Sequence, residues 1–347
     1  MTTHIRRPAR AVLAAALLAL PACDGDPLAP DHGFETVSPE SVGFSSAGLQ
    51  VAKAHFDRIG SAAFMALYDG KVFVSWGDVD RKYLLHSIRK PLLGALYGIA
   101  VANGTIDTTA TLAELGIDDI PPSLTDDEKQ ARVSHLLRSR SGVYHPAAAE
   151  TPEMEAARPE RGSHEPDTFF YYNNWDFNAL GTIYRQETGE DIFEAVASEI
   201  AERIGMQDFV ATDGYYKYEA EKSEHPAYHM RMTARDLARF GVLCQQGGRW
   251  DGQQIVPQSW IDASWTTHSV EDDLLGLGYG MLWATMAADS PLGIGPAVFH
   301  GGIALHYLLV KPADRLVFVH RVDTDHPWTI TTEEVGELFQ LVLAARQ

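Results

Sequence analysis

Ser87-Ile88-Arg89-Lys90-Pro91-Leu92-Leu93-Gly94-Ala95-Leu96-Tyr97-Gly98-Ile99-Ala100 opens with a polar tetrad and continues as an apolar run at helical spacing. Residues three apart share one helical face, so Ser87 and Lys90 point to the same side. Pro91 is tolerated only near a helix start, which places Ser87 at the first turn. There the helix N-terminus adds partial positive charge beside any developing oxyanion. A serine hydroxyl needs a neighbouring base to act as a nucleophile, and a desolvated lysine can supply one. Taken alone, the pattern occurs often by chance and more commonly describes a capping serine and a surface lysine.

Outward from this stretch, secondary structure follows from periodicity. Toward the N-terminus, Ser45 to Ile59 predicts an amphipathic helix. Ala62 to Leu67 and Val72 to Trp76 predict a hairpin around Asp69-Gly70. Asn103-Gly104 stops the Ser87 helix. From about Thr108 to Met232 the pattern is helix and loop, with periodic segments at Leu136-Leu137, Phe177 to Ile183 and Ile192 to Ile204. Asp236 to Cys244 predicts a helix ended by Gly247-Gly248. Gly278 to Trp283, Val298 to Val310 and Leu316 to Arg321 predict strands, and Thr331 to Ala345 a closing helix with acidic first-turn residues. The expected class is α+β. An antiparallel sheet is built from residues 40–86 and 233–347 and flanked by helices, and a largely helical subdomain, residues 87–232, is inserted into it.

Two further motifs lie downstream. Tyr172-Asn173-Asn174 falls in the aromatic stretch Phe169 to Trp175. A tyrosine beside a lysine can pass a proton to or from a hydroxyl, and an asparagine amide can bond both a lysine and a substrate carbonyl. An aromatic core cluster with a capping asparagine is the plainer alternative. His300-Gly301-Gly302 lies in a strand-like region, where paired glycines mark a close approach of backbone or ligand; a bulge or hairpin with a merely structural His300 is the plainer alternative.

Ser-x-x-Lys, Tyr-x-Asn and His-x-Gly in this order resemble the serine beta-lactamase and penicillin-binding-protein superfamily. The resemblance is to the class C-like branch, with its esterases, D-aminopeptidases and 6-aminohexanoate-oligomer (nylon-oligomer) hydrolases. It extends through Ser141-Gly142, Gly181, Thr233 to Gly241 and Gly248 to Gly252, and covers about residues 40 to 346. It implies a beta-lactamase/transpeptidase-like fold with the site in the crevice between the two parts. It also implies Ser87 as nucleophile, Lys90 and Tyr172 as general base and acid, and an acyl-enzyme. The pair would titrate as a coupled unit, so which of the two is the resting base stays open. Asn174 is expected to orient Lys90, His300 and Gly302 to line the cleft, and the Ser87 and Ile303 N–H groups to hold the oxyanion. His145 is expected on the cleft rim, and Arg89 on another face of its helix, in an ion pair.

The third motif departs from the beta-lactamase Lys-Thr-Gly. His300 is neutral near pH 7 if its pKa is ordinary, and Gly301 has no hydroxyl. Weaker binding of anionic beta-lactams follows, which favours a small-molecule ester or amide substrate. D,D-peptidase or beta-lactamase activity is the alternative within the fold. A noncatalytic binding protein is the alternative outside enzymology.

The N-terminus reads as an export signal, residues 1–22: Arg6, Arg7 and Arg10 precede the apolar run Ala11 to Leu20. Leu20-Pro21-Ala22-Cys23 resembles a bacterial lipobox, with Cys23 as lipidation site and residues 23–39 as a tether. A plain signal peptide is the alternative. Either reading puts the body outside the cytoplasm, with membrane attachment only through an N-terminal lipid. The other cysteine, Cys244, lies in an apolar context and reads as a buried small hydrophobe. The formal charge of -19 lacks any basic stripe and argues against nucleic acid as a partner. No cofactor is expected. His225 and His229 are four apart, but Pro226 interrupts a helix between them, so no zinc site is expected.

Overall fold

The computed structural model describes residues 33–347. The export signal, Cys23 and most of the tether lie outside these residues.

In chain order, helix α1 (Ser46–Ile59) leads into strands β1 (Ala63–Tyr68) and β2 (Lys71–Gly77). Short β3 (Tyr83–Leu84) precedes a 3-10 turn, His86–Ile88, and helix α2 (Arg89–Ala102). Helices α3 (Val133–Leu137), α4 (Pro152–Ala157), α5 (Asn174–Thr188) and α6 (Ile192–Ala195) follow, then β4 (Gly214–Lys217), β5 (Ala227–Met232) and helix α7 (Ala234–Gln245). The last third holds the hairpin β6 (Arg249–Trp250) and β7 (Gln253–Gln254), helix α8 (Gln258–Ser264), and β8 (Ser269–Asp272), β9 (Leu277–Tyr279) and β10 (Ala284–Met286). The chain closes with β11 (Ala297–Gly302), β12 (His306–Lys311), β13 (Leu316–Arg321) and helix α9 (Thr332–Ala344).

Eight strands form one antiparallel sheet in the order β2-β1-β13-β12-β11-β10-β9-β8. Its centre joins the two ends of the chain, with Ala63 opposite Arg321 and Tyr68 opposite Leu316. Successive side chains point to opposite faces. Met65, Leu67, Val317 and Val319 therefore face one core with α2, α5 and α7, while Phe64, Ala66, Leu316 and Phe318 face another with α1 and α9. Burial on both faces explains why Leu316-Val317-Phe318-Val319 shows no polar alternation.

Local chemistry sets the element ends. Ser45 caps α1 by accepting from Gly48 N, and Thr331 with Glu334 forms a capping box on α9. Asp69 and Gly70 both have positive φ, 51° and 77°, as the tight β1–β2 hairpin requires. Gly241 lets α7 lie close to the sheet, since a Cβ there would meet Val317 Cγ1 at 2.6 Å and Leu308 Cδ1 at 2.9 Å. Gly241→Val should therefore cost about 1–3 kcal/mol by overpacking. A denaturant midpoint equal to wild type would mean that this helix–sheet contact has slack.

Four expectations are corrected. Val298 to Val310 is not one strand: β11 and β12 form a hairpin, and Ala304 and Leu305 turn it with φ of 60° and 65°. Gly278 to Trp283 is likewise divided, because β9 ends at Tyr279 and a loop precedes β10. The middle of the chain contributes the strand pair β5-β4 beside its helices, and β3 from the preceding segment pairs with β5. The tether reading also runs too far, because Val72 N donates to Glu35 O and Val37 N to Val72 O, both at 2.9 Å, docking residues 35–37 on the β2 edge.

Candidate active site

Ser87 sits in the 3-10 turn that feeds α2. His86 before it takes a left-handed φ of 49°, a costly conformation for a residue with a Cβ. Lys90, one turn later, is fully buried. Its Nζ lies 2.7 Å from Ser87 Oγ and 2.8 Å from Tyr172 Oη. The same nitrogen is 4.4 Å from the Phe177 ring centre and 4.8 Å from that of Tyr172. Burial, followed by the positive charge of Arg89, pushes the Lys90 pKa well below the usual lysine value. Burial also raises the Tyr172 phenol. Both shifts favour the uncharged amine and the intact phenol.

Tyr172 is held from its C-terminal side. Asn173 caps α5, its side chain accepting from Trp175 N while its amide donates to Val143 O at 2.7 Å. The Tyr172 ring meets Phe177, Tyr279 and His300 at centroid distances of 4.9, 5.9 and 6.2 Å.

These groups open onto a cavity of about 370 Å³ whose lining includes Ser87, Tyr172, Asn174, His300, Gly302 and Ile303. His300 is buried, and its Nδ1 lies 2.9 Å from Gly301 O. A carbonyl only accepts, so Nδ1 carries the hydrogen and the unpartnered Nε2 offers a lone pair. Burial lowers the His300 pKa to about 3, so the imidazole is neutral at physiological pH. Gly302 is glycine for want of space: a Cβ would lie 3.0 Å from Leu85 O and 3.1 Å from His86 Cβ. Ile303 is half-exposed at the cavity.

Three side-chain expectations are revised. Asn174 lines the cavity, but its amide donates to Ala149 O at 2.8 Å instead of holding Lys90, and its Oδ1 has no protein partner. His145 is buried away from the cavity, its ring nitrogens 3.0 Å from Pro146 O and 3.2 Å from Ile120 O. Arg89 is buried at the cavity and stacks on Tyr228 rather than entering an ion pair. Sequence reasoning also missed His229, Glu271 and Tyr279 as lining residues. The sequence singles out His229 only for its spacing from His225. Cys244 is a buried free thiol whose pKa burial raises.

The family model for Beta-lactamase matches residues 50–331. A curated 6-aminohexanoate-dimer hydrolase from Paenarthrobacter ureafaciens is 23% identical over 224 residues, a match that spans 58% of this chain and 56% of that relative's length. Among solved structures, a Bacillus anthracis protein provisionally described as a 6-aminohexanoate-dimer hydrolase superposes with a TM-score of 0.67 at 20% identity, covering 90% of this chain and 86% of the other. A family VIII carboxylesterase superposes with a TM-score of 0.64 at 16% identity, covering 86% of this chain and 97% of the other.

Proposed function

This chain belongs to the beta-lactamase family of hydrolases, and on that premise we propose that it cleaves carboxylic esters or small amides through an acyl-enzyme on Ser87. The observation that carries this reading is the buried Lys90 Nζ, within 2.8 Å of both Ser87 Oγ and Tyr172 Oη.

A neutral amine has one lone pair and two hydrogens. Lys90 Nζ accepts the Ser87 hydrogen and donates to Tyr172 Oη, so the phenol keeps its own O–H for the leaving group. As Ser87 Oγ bonds to the carbonyl carbon, its proton passes to Lys90. The electron pair of the carbonyl moves to the oxygen, which the N–H groups of Ser87 and Ile303 hold. When the tetrahedral carbon collapses, Tyr172 gives its proton to the departing oxygen or nitrogen and is refilled from Lys90. Water then attacks the acyl carbon by the same proton path in reverse, and Ser87 is restored. His300 Nε2, an acceptor, suits the hydrogen of a leaving hydroxyl or amine better than an oxyanion.

The test is hydrolysis of 4-nitrophenyl butyrate by the body from residue 33 onward, wild type beside Ser87→Ala. Loss of at least about 10³-fold in kcat with an unchanged unfolding midpoint is expected. Equal rates in the two folded proteins would remove the nucleophile assignment. Penicillin separates the peptidase and beta-lactamase alternatives: a long-lived Ser87 adduct favours the first, fast turnover the second.

The Leu20-Pro21-Ala22-Cys23 ending further supports the proposal that the enzyme is exported and held at a membrane by lipid on Cys23. Acyl labelling that persists in Cys23→Ala would count against it.

A further inference from the structure

Arg89 is a cavity-lining cation with no acid–base part in the chemistry above. Only 3% of its surface is exposed. Nη1 donates to His86 O at 2.9 Å, and the guanidinium lies 5.0 Å from the Tyr228 ring centre. Nε and Nη2 have no protein partner. Those two atoms share one edge of the guanidinium plane, the edge whose parallel N–H bonds match a carboxylate.

Two other buried arginines show what a structural guanidinium looks like in this protein. Arg321 donates to His306 Nδ1 and to the carbonyls of Tyr83 and Leu84, and Arg239 donates to Ile204 O and stacks on Phe34 and Trp250. Neither lines the cavity around Ser87. Each of them also leaves one nitrogen unpartnered, Arg321 Nη1 and Arg239 Nε, but Arg89 alone among the three lines the cavity, and it leaves both nitrogens of one edge without a partner and sealed from solvent. One carboxylate, Glu271, lines the same cavity, its pKa raised by burial and then by Asp272, and it is not among the groups that act on Arg89. His86 is pushed down to about 4 and His229 lower still, chiefly by burial, so both imidazoles are uncharged at pH 7. The groups acting on Arg89 itself are Tyr228, Tyr172 and Tyr215, none a carboxylate. A buried cation left without an anion is costly, and the cost is relieved when a ligand brings the counter-charge.

We propose that Arg89 is a specificity residue whose free Nε/Nη2 edge binds a carboxylate of the substrate, placed within a few atoms of the bond that Ser87 attacks. The substrate class is thereby narrowed to anionic esters or amides, such as monoesters and amides of dicarboxylic acids or acylated amino acids. This rests on the Ser87 hydrolase reading. It also shifts the expected weakness toward anions: the missing Lys and hydroxyl of the third motif are compensated by a cation two residues beyond the nucleophile.

Two matched pairs of esters test it. Mono-4-nitrophenyl glutarate against 4-nitrophenyl methyl glutarate puts the charge in the acyl group, and 4-(butanoyloxy)benzoate against its methyl ester puts it in the leaving group. Wild type should prefer the anion in one pair by about tenfold or more in kcat/KM. Arg89→Met should bring that ratio near one, a change of selectivity that a merely structural arginine would not produce. Arg89→Lys keeps the charge without the fork and should lose several-fold of the ratio; it carries the test if the methionine variant does not fold. No anion preference in either pair, or a preference unchanged in a folded Arg89 variant, overturns the proposal. If no ester is turned over, the hydrolase reading fails separately. Arg89 is then judged by whether monomethyl glutarate, but not dimethyl glutarate, raises the unfolding temperature of wild type and fails to do so in the variant.

Discussion

Replacing Lys90 by methionine is expected to lower ester hydrolysis by about 10²–10⁴-fold and at the same time to stabilise the fold at neutral pH. The loss follows from geometry, since the lone pair 2.7 Å from Ser87 Oγ disappears. The gain follows from burial. Lys90 has no exposed surface, and Phe177 and Tyr172 rings surround its amine. Its folded pKa lies well below the 10.5 of the free side chain. Between those two values the unfolded chain binds a proton that the folded protein does not, so unfolding is favoured progressively as pH falls through that window. Methionine removes this term and keeps the packing, so a gain of about 1–3 kcal/mol is expected at pH 7. The gain should shrink as the pH is raised toward 10.5, where the unfolded lysine also loses its proton. Urea unfolding of both proteins at pH 7 and pH 10 measures it. A methionine variant less stable at pH 7, or a gain that grows with pH, would contradict the assignment of Lys90 as a buried, neutral base.

The fold should also weaken steeply on mild acidification. His229, His300, His306 and His320 are all buried, and desolvation is the first cause of a lowered pKa in each. His300 falls to about 3 and His320 to about 4 from an ordinary 6.5. Below pH 6.5 the unfolded chain takes up these protons while the folded one refuses them, so stability drops with pH until the folded values are reached. One group contributes at most about 1.4 kcal/mol per pH unit. Between pH 6.5 and 5.5 the unfolded imidazole goes only from half to nearly full protonation, so each contributes about 1 kcal/mol and four together would remove roughly 4 kcal/mol, a large part of a typical domain's 5–15 kcal/mol. The measurement is the unfolding free energy across pH 7 to 5. A flat profile would mean that these rings protonate inside the folded protein, against their burial.

Much of the architecture was legible because strong local rules agreed with the tertiary outcome. The Asp69-Gly70 hairpin, the capped helices at Ser46 and Thr332, and the helix from Ala234 each carry their own turn, cap or period, and the structure places them within a residue or two of expectation. What was hidden depended on neighbours distant in sequence. The break of Val298 to Val310 at Ile303 to Leu305 was legible only as the hairpin alternative at the paired glycines, because the turn residues Ala304 and Leu305 are not turn formers. Gly301 and Gly302, which looked like the irregular point, lie within β11, Gly302 squeezed against Leu85 and His86. Strand β8 escaped notice because its burial is confined largely to Ser269.

The same limit holds at the site. Ser87, Lys90 and Tyr172 carry a recognisable order of residue types, and the structure brings their polar atoms together. Asn174, Arg89 and His145 depend on which backbone carbonyl or ring lies nearby, which spacing does not reveal. Arg89 in particular looks like any surface arginine on a helix until Tyr228 is found over it.

The central pairing of β1 with β13 has a consequence for how the protein is made. Ala63 must wait for Arg321, so the sheet cannot close until residue 321 has emerged. During synthesis β1 presents an open edge and apolar faces with no partner, the condition under which chains stick to one another. Contacts so distant in sequence also make for slow folding. A chain kept bound by a chaperone until its last strands are available would avoid both hazards, and a chain cut short before Leu316 would leave one edge of β1 unpaired.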